Sequence, residues 1–217
     1  MPDLSQLKAA IIAGDRAAAV EQTQAALDAG AEPQSILDAM TEALDVVGDR
    51  FQCGEMFVPE MLISARAMKE AMAVLEPVLT ASGIHPEHTA VIGSVKGDVH
   101  DIGKNLVAMM WRGANFEVID VGVNVAPERF VEAAREHGAA IIGISALLST
   151  TMLNMKAAIA AIRAADLGGV KVIVGGAPVT AEFASSIGAD AFAPDAAAAV
   201  EVVRAALGLA GGRPGPP

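Results

Sequence analysis

The spacing of apolar residues changes once along the 217-residue chain, and that change decides what it can fold into. From residue 3 to about 79, apolar side chains recur every three or four positions, the signature of helices with one buried face. Gly14 followed by Asp15 reads as a helix stop and a new N-cap, and Pro33 sits where a first-turn proline is tolerated. These residues put helix junctions near 14 and 31 and predict four helices. The third carries Ile36, Leu37, Met40, Leu44, Val47 and Phe51; the fourth runs from about Pro59 through Met61, Leu62, Ala65, Met68, Met72 and Leu75. A helical bundle is therefore expected over residues 1–80.

The polar segment TASGIHPEHT, with Gly83 and Pro86, marks a linker at 81–88. Beyond it, short β-rich apolar runs at 89–95, 116–122, 139–145, 170–176 and 189–194 alternate with helical stretches. Strands that alternate with helices and are apolar on both faces imply an α/β domain over 89–210, a five-stranded doubly wound parallel sheet of flavodoxin-like order 2-1-3-4-5. The end, GGRPGPP at 211–217, is expected to be a disordered tail.

Composition narrows the class of partner. Hydrophobic residues make up 53% of the chain and aromatics 3%, so there is material for a core, built from Ala, Val, Ile, Leu and Met. A net charge of −11 repels phosphate backbones and anionic bilayers, which argues against nucleic acid and membrane partners. The sequence shows no secretory pattern and no apolar run of the ~20 residues that cross a bilayer, so a cytoplasmic location is expected. The single cysteine, Cys53, can neither pair within the chain nor build a thiolate zinc cage.

In a sheet of this order ligands bind beyond the carboxyl ends of the strands, in the crevice between the first and third. Strand 1 ends in KGDVHDIGKN, strand 3 in SALLSTTM, strand 4 in GGAPVT and strand 5 in PDAAAA. Asp98 and His100 lie two apart on a loop, so both can face the crevice, with Asp98 accepting the proton of one ring nitrogen and the other free to bind a metal. No second His and no Cys stands at a strand end, which points to a metal whose remaining ligands come from a macrocycle.

With Gly103, these residues make a D-x-H-x-x-G run that resembles the signature of cobalamin-binding domains; Ser145 and Leu147 match its S-x-L element, and Gly175 and Gly176 its GG element. The preceding FQCGEMFVPEMLISARAMKEAMAVLEP is similar to the helical cap of the corrinoid proteins of methyltransferase systems, of the methylamine and methanol type, and of the cobalamin module of methionine synthase. The resemblance implies a cofactor, cobalamin, whose cobalt takes His100 as its lower axial ligand and whose nucleotide tail enters between strands 1 and 3. It places Gly97, Asp98, Val99, His100, Asp101, Ile102, Gly103, Ser145, Leu147, Ser149, Thr151, Gly175, Gly176 and Ala196 around the cofactor. Gly103, Gly175 and Gly176 would lack side chains so that the tail can approach. Thr151 stands where methionine synthase has a serine completing an Asp-His-Ser relay, so His100, Asp98 and Thr151 are the expected reactive group. Phe51, Phe57, Val58 and Met61 would cover the upper face of the corrin.

The resemblance further implies a methyl carrier, cycling between Co(I) and methyl-Co(III). It would serve a donor-specific methyltransferase and an acceptor methyltransferase, the acceptor being tetrahydrofolate or a thiol such as coenzyme M, with a reductive activase as a further partner. A cobalamin-binding regulatory module and the small subunit of a cobalamin-dependent mutase are the alternatives. Against them stand a helical cap of about 80 residues and no spare length for a DNA-binding module. A phosphoacceptor receiver needs an Asp at the end of strand 3, where Ser145 stands, and neither G-x-G-x-x-G nor a P-loop follows strand 1. Asp101 is expected to cap the helix after the loop. Lys96 and Lys104 are candidates for corrin amides or phosphate, or for solvation; His85, His88 and His137 are expected in solvated or capping roles, and Trp111 between a helix and the sheet.

Overall fold

The computed structural model describes residues 3–209, so the expected tail at 211–217 lies outside the described residues. These divide into two compact units, one of residues up to Pro86 together with Arg112–Asn115, the other from Glu87 to Trp111 and from Phe116 onward.

The first unit contains α1 (Ser5–Ala13), α2 (Arg16–Asp28), α3 (Pro33–Gln52) and α4 (Val58–Ala81). Its boundaries follow local chemistry. Gly14 ends α1 in a left-handed conformation, and the Asp15 carboxylate opens α2 by accepting the Ala18 N–H at 3.0 Å. Pro33 stands in the first turn of α3, and Glu60 accepts the Phe57 N–H at 2.8 Å where α4 begins. Helix α4 continues through Pro77, which cannot donate to the carbonyl one turn earlier, and stops at Ala81. Leu7, Ile11, Ile36, Leu37, Met40, Val47, Met61, Met68 and Leu75 are buried, the three- and four-residue spacing closing on itself.

The second unit is built on strands β1 (Thr89–Ser94), β2 (Glu117–Asp120), β3 (Ile141–Ser145), β4 (Lys171–Gly175) and β5 (Ala191–Ala193). They form one sheet of order β2-β1-β3-β4-β5 in which every pairing is parallel, with Ser94 level with Ser145 and Ser145 level with Gly175. All carboxyl ends therefore meet at one edge. The crossovers are α5 (Ile102–Gly113), α6 (Pro127–Glu136), the short α7 (Ser149–Met152) with α8 (Met155–Ala164), and α9 (Ala181–Ser186); α10 (Ala196–Leu207) follows β5.

Val91, Ile142, Ile144, Val172 and Val174 bury one face of the sheet with Phe130, Met155, Ile159 and Ile162. Two strand glycines make room for the large aromatics. A Cβ at Gly93 would lie 3.0 Å from the Phe130 ring, and one at Gly143, on the opposite pleat from Ile142 and Ile144, would lie 2.7 Å from Trp111. Trp111 thus lies between α5 and the sheet, its indole N–H donating to the Ala199 carbonyl at 3.0 Å. Truncating either aromatic to alanine would cost about 3–5 kcal/mol through the cavity left behind. Among the described residues no helix is long and apolar enough to cross a membrane.

Candidate functional site

The site lies in the second unit, where residues 95–101 leave the end of β1 and turn into α5. Asp98 is its centre and is fully buried. Its Oδ1 accepts the His100 backbone N–H at 3.0 Å and lies 2.8 Å from His100 Nδ1. Its Oδ2 accepts the Leu147 N–H at 2.8 Å and the Thr151 hydroxyl at 2.5 Å. Burial would by itself raise the Asp98 pKa. The hydrogen bonds from Thr151, Leu147 and His100 favour the anion and outweigh burial, holding the carboxyl well below the usual carboxylate range.

An ionised carboxylate only accepts, so Nδ1 of His100 carries a proton, and in the neutral ring the lone pair lies on Nε2. The side chain of His100 is 45% exposed, and among the described residues its Nε2 meets no hydrogen-bond partner. Val99, Ile102 and Leu147, neighbours of the Asp98–His100 couple, are apolar yet 68%, 70% and 45% exposed. A neutral imidazole donor amid exposed apolar surface suits a metal held in a large, largely apolar ring. Among the described residues no three His, Cys, Asp or Glu side chains converge to hold a metal, so this donor set suits an ion that brings its other ligands with it.

The other expected residues divide by environment. Ser145 is half-buried at the end of β3, Ser149 is exposed at the start of α7, and Thr151 is buried within that turn. Gly97 has φ +87° and faces the Thr151 methyl, which would lie 3.7 Å from a Cβ placed there. Ala196 is buried at the start of α10, whose N-cap Asp195 accepts the Ala198 N–H at 2.8 Å. In the helical unit, Phe51 is half-buried, Phe57 and Val58 are 67% and 40% exposed, and Met61 is fully enclosed.

The three glycines differ in what they do. Around Gly103 a Cβ would meet nothing within 4 Å. At Gly176, with φ +124°, a Cβ would lie 1.9 Å from the Ala146 carbonyl oxygen, and at Gly175 one would lie 2.8 Å from that of Ala193. The backbone alone therefore requires the last two to be glycine, whereas Gly103 is exposed with open space around it.

Asp101 stands just before α5, its carbonyl accepting the Asn105 N–H at 2.7 Å and its side chain accepting from Asn105 Nδ2 at 3.1 Å. Two further expectations are corrected. Lys104 is not solvated: it is buried, its ammonium 2.5 Å from Asp120 Oδ2 and 2.6 Å from Asn105 Oδ1. His88 stacks on Phe116 at 6.3 Å between ring centres, so it packs against its own unit instead of standing in solvent.

Residues that sequence reasoning passed over hold the loop. The buried Ser94 hydroxyl donates to the His100 carbonyl at 2.7 Å, and Asn154 Nδ2 donates to the Lys96 carbonyl at 2.8 Å. Asn124 takes the Gly97 N–H on its side-chain oxygen at 2.8 Å and donates its own N–H to the Asp98 carbonyl at 2.8 Å. An asparagine at a loop tip between apolar residues, in GVNVAP, was the one signal available for the last.

Comparison with known proteins agrees with this geometry. A family model described as a B12 binding domain matches residues 88–204, and a second model of the same description matches residues 4–76. A corrinoid protein of Desulfitobacterium hafniense is 40% identical over 210 residues, covering 94% of this chain and 97% of that one. Trimethylamine corrinoid protein 2 of Methanosarcina acetivorans is 39% identical over 208 residues, covering 94% and 96%. Among solved structures, a chain of the methanol:cobalamin methyltransferase complex of Methanosarcina barkeri superposes with a TM-score of 0.79 at 27% identity, covering 94% of this chain and 79% of that one. With both of its units matched and the donor set suited to the cofactor, this chain belongs to the B12-binding corrinoid proteins, and cobalamin is the cofactor it binds.

Proposed function

We propose that this chain is a methyl carrier: it holds cobalamin through His100, receives a methyl group with the help of a donor-specific methyltransferase and yields it to a second methyltransferase. The observation that carries the reading is the Asp98–His100 couple, with Nδ1 fixed by a buried carboxylate and Nε2 left open among exposed apolar side chains. The names of the relatives support the carrier role. One is a trimethylamine corrinoid protein, and a relative of known structure comes from a methanol:cobalamin methyltransferase complex. When bound, the corrinoid supplies a cobalt centre that can take up and release a methyl group.

The residues of this chain do the rest. His100 offers Nε2 to the metal, and Asp98 fixes the tautomer. Thr151 and the Leu147 N–H keep Asp98 ionised, so the Asp98–His100 pair would be able to hold a proton whenever the ring is not ligating. Gly103, with the hydroxyls of Ser145 and Ser149, accommodates the nucleotide tail. Residues 1–80 act as a cap whose Phe51, Phe57, Val58 and Met61 shield the reacting face from water, and 81–88 is the hinge that lets partners in. Methylamines, methanol, methoxylated aromatics and betaines are the candidate donors, tetrahydrofolate or a thiol such as coenzyme M the acceptors. A reductive activase is a further partner, and the cytoplasm the compartment.

The test is the electron paramagnetic resonance spectrum of the protein loaded with Co(II) cobalamin and grown on nitrogen-15 histidine. A three-line pattern that becomes two-line on labelling, and disappears in His100→Ala, is expected. A three-line pattern indifferent to the label would place the cofactor's own benzimidazole on the metal and overturn the ligand assignment. Rapid demethylation of any donor by the loaded protein alone would overturn the carrier role.

A further inference from the structure

We infer that Asn124 is a positioning residue that presets the His100 loop for axial ligation, gripping two successive residues of that loop from the neighbouring β2–α6 connection. The inference rests on the reading above, in which His100 is the ligand.

The loop has few means of holding its own shape. Its local bonds are the Asp98 N–H to the Val95 carbonyl and the His100 N–H to Asp98 Oδ1, each at 3.0 Å. Gly97, at φ +87°, uses a backbone conformation that other residues rarely adopt, and its N–H finds its acceptor on the Asn124 side chain. The carbonyl of the following residue, Asp98, accepts the Asn124 N–H. One residue thus supplies an acceptor to Gly97 and a donor to Asp98, on the side away from Leu147 and Thr151, which hold the Asp98 carboxylate. Between these two grips, a sideways shift of Asp98 breaks a hydrogen bond in either direction.

Asn124 is itself well anchored. It sits at φ +53°, a left-handed conformation that asparagine tolerates better than most residues. The next residue, Val125, bridges to Val95 and donates its N–H to the Ser94 carbonyl at 2.9 Å. The clamp is therefore fixed to the end of β1, the strand from which the loop departs. Serine 94 in turn holds the His100 carbonyl, so the loop is tied before Asp98 and again at the histidine.

Asn124→Gly removes the side-chain acceptor without straining the left-handed backbone, and Asn124→Asp restores an acceptor in the same place. The position is exposed and suits glycine, so the fold does not depend on it. In the apoprotein, hydrogen exchange of the Gly97 amide should accelerate by at least about tenfold in N124G and return to the wild-type rate in N124D. In the loaded protein, N124G should bind cobalamin roughly tenfold more weakly and show a smaller fraction of histidine-ligated Co(II) in the paramagnetic spectrum, again recovered in N124D. Wild-type affinity and a full histidine signal in N124G would overturn the inference, as would an N124D indistinguishable from N124G. A wild type lacking the histidine nitrogen would overturn the functional reading and this inference together; a wild type that has it beside an unaffected N124G would overturn the inference alone.

Discussion

Asp98 meets His100 twice through a single oxygen: Oδ1 accepts the backbone N–H at 3.0 Å and faces Nδ1 at 2.8 Å. The other oxygen faces Leu147 N–H and the Thr151 hydroxyl, so the carboxylate is surrounded by donors. That arrangement makes the usual conservative substitution a poor one. In D98N, one orientation turns the amide NH₂ toward the Leu147 N–H, and the other turns it toward the His100 N–H. Either leaves a buried donor against a donor. The expected loss is about 1–3 kcal/mol in the apoprotein, read from urea unfolding, and an unchanged midpoint would contradict the contact scheme.

Thr151 separates hydroxyl from shape. T151V removes the donor to Asp98 while keeping the branch, and is expected to cost about 1.5–3 kcal/mol, the range for a hydrogen bond to a charged group. T151S keeps the donor and loses only the methyl that faces Gly97, a change of about 0.8 kcal/mol or less. Equal losses in the two variants, measured by the same unfolding experiment, would show that the hydroxyl does not matter.

The depressed Asp98 pKa makes a signed prediction for acid. A carboxyl whose folded pKa lies below its ordinary value of 3.8 contributes stability that is complete above that value and is lost as pH falls toward the folded pKa. The stability gap between wild type and D98N should therefore stay constant from neutral pH to about pH 5 and narrow below about pH 4. A gap that widens in acid would mean that the carboxylate is not stabilised as described.

Two glycine-to-alanine changes distinguish backbone needs from ligand needs. G176A forces a methyl into the Ala146 carbonyl at φ +124° and should destabilise the apoprotein by several kcal/mol, on the order of the largest single-residue effects. G103A, in the first turn of α5 with open space around it, should raise apoprotein stability by about 0.5–1 kcal/mol. The same G103A should weaken cobalamin binding, measured by equilibrium titration. Unchanged affinity in G103A would remove Gly103 from the cofactor's cradle.

The order of the five strands was legible from the sequence, because a buried parallel sheet demands short apolar runs and each run announces itself. Asp98 and His100 were legible because they lie two apart, so one loop carries the whole relationship. What stayed hidden were contacts made across long stretches of chain. Asn124 reaches Gly97, and Asn154 reaches the Lys96 carbonyl, through the register of separate loops, and Lys104 is buried against Asp120 at the end of the adjacent strand. The carbonyls of Ala146 and Ala193 that crowd the glycine pair at 175 and 176 were likewise invisible in the spacing. Spacing along a chain reports neighbours on one element; it is silent about which backbone group a distant side chain will meet.

The tie between the Ser94 hydroxyl and the His100 carbonyl, together with the Asp98 bond to the His100 N–H, immobilises both peptide groups of the histidine. With its main chain fixed on either side, the ring can turn only about its own side-chain bonds. A ring that had to leave and rejoin a metal would then need no excursion of the loop: rotation of a half-exposed side chain, on the order of picoseconds to nanoseconds once its bonds release, would suffice. The anchoring thus frees the imidazole's clock from the slower clock of the main chain that carries it.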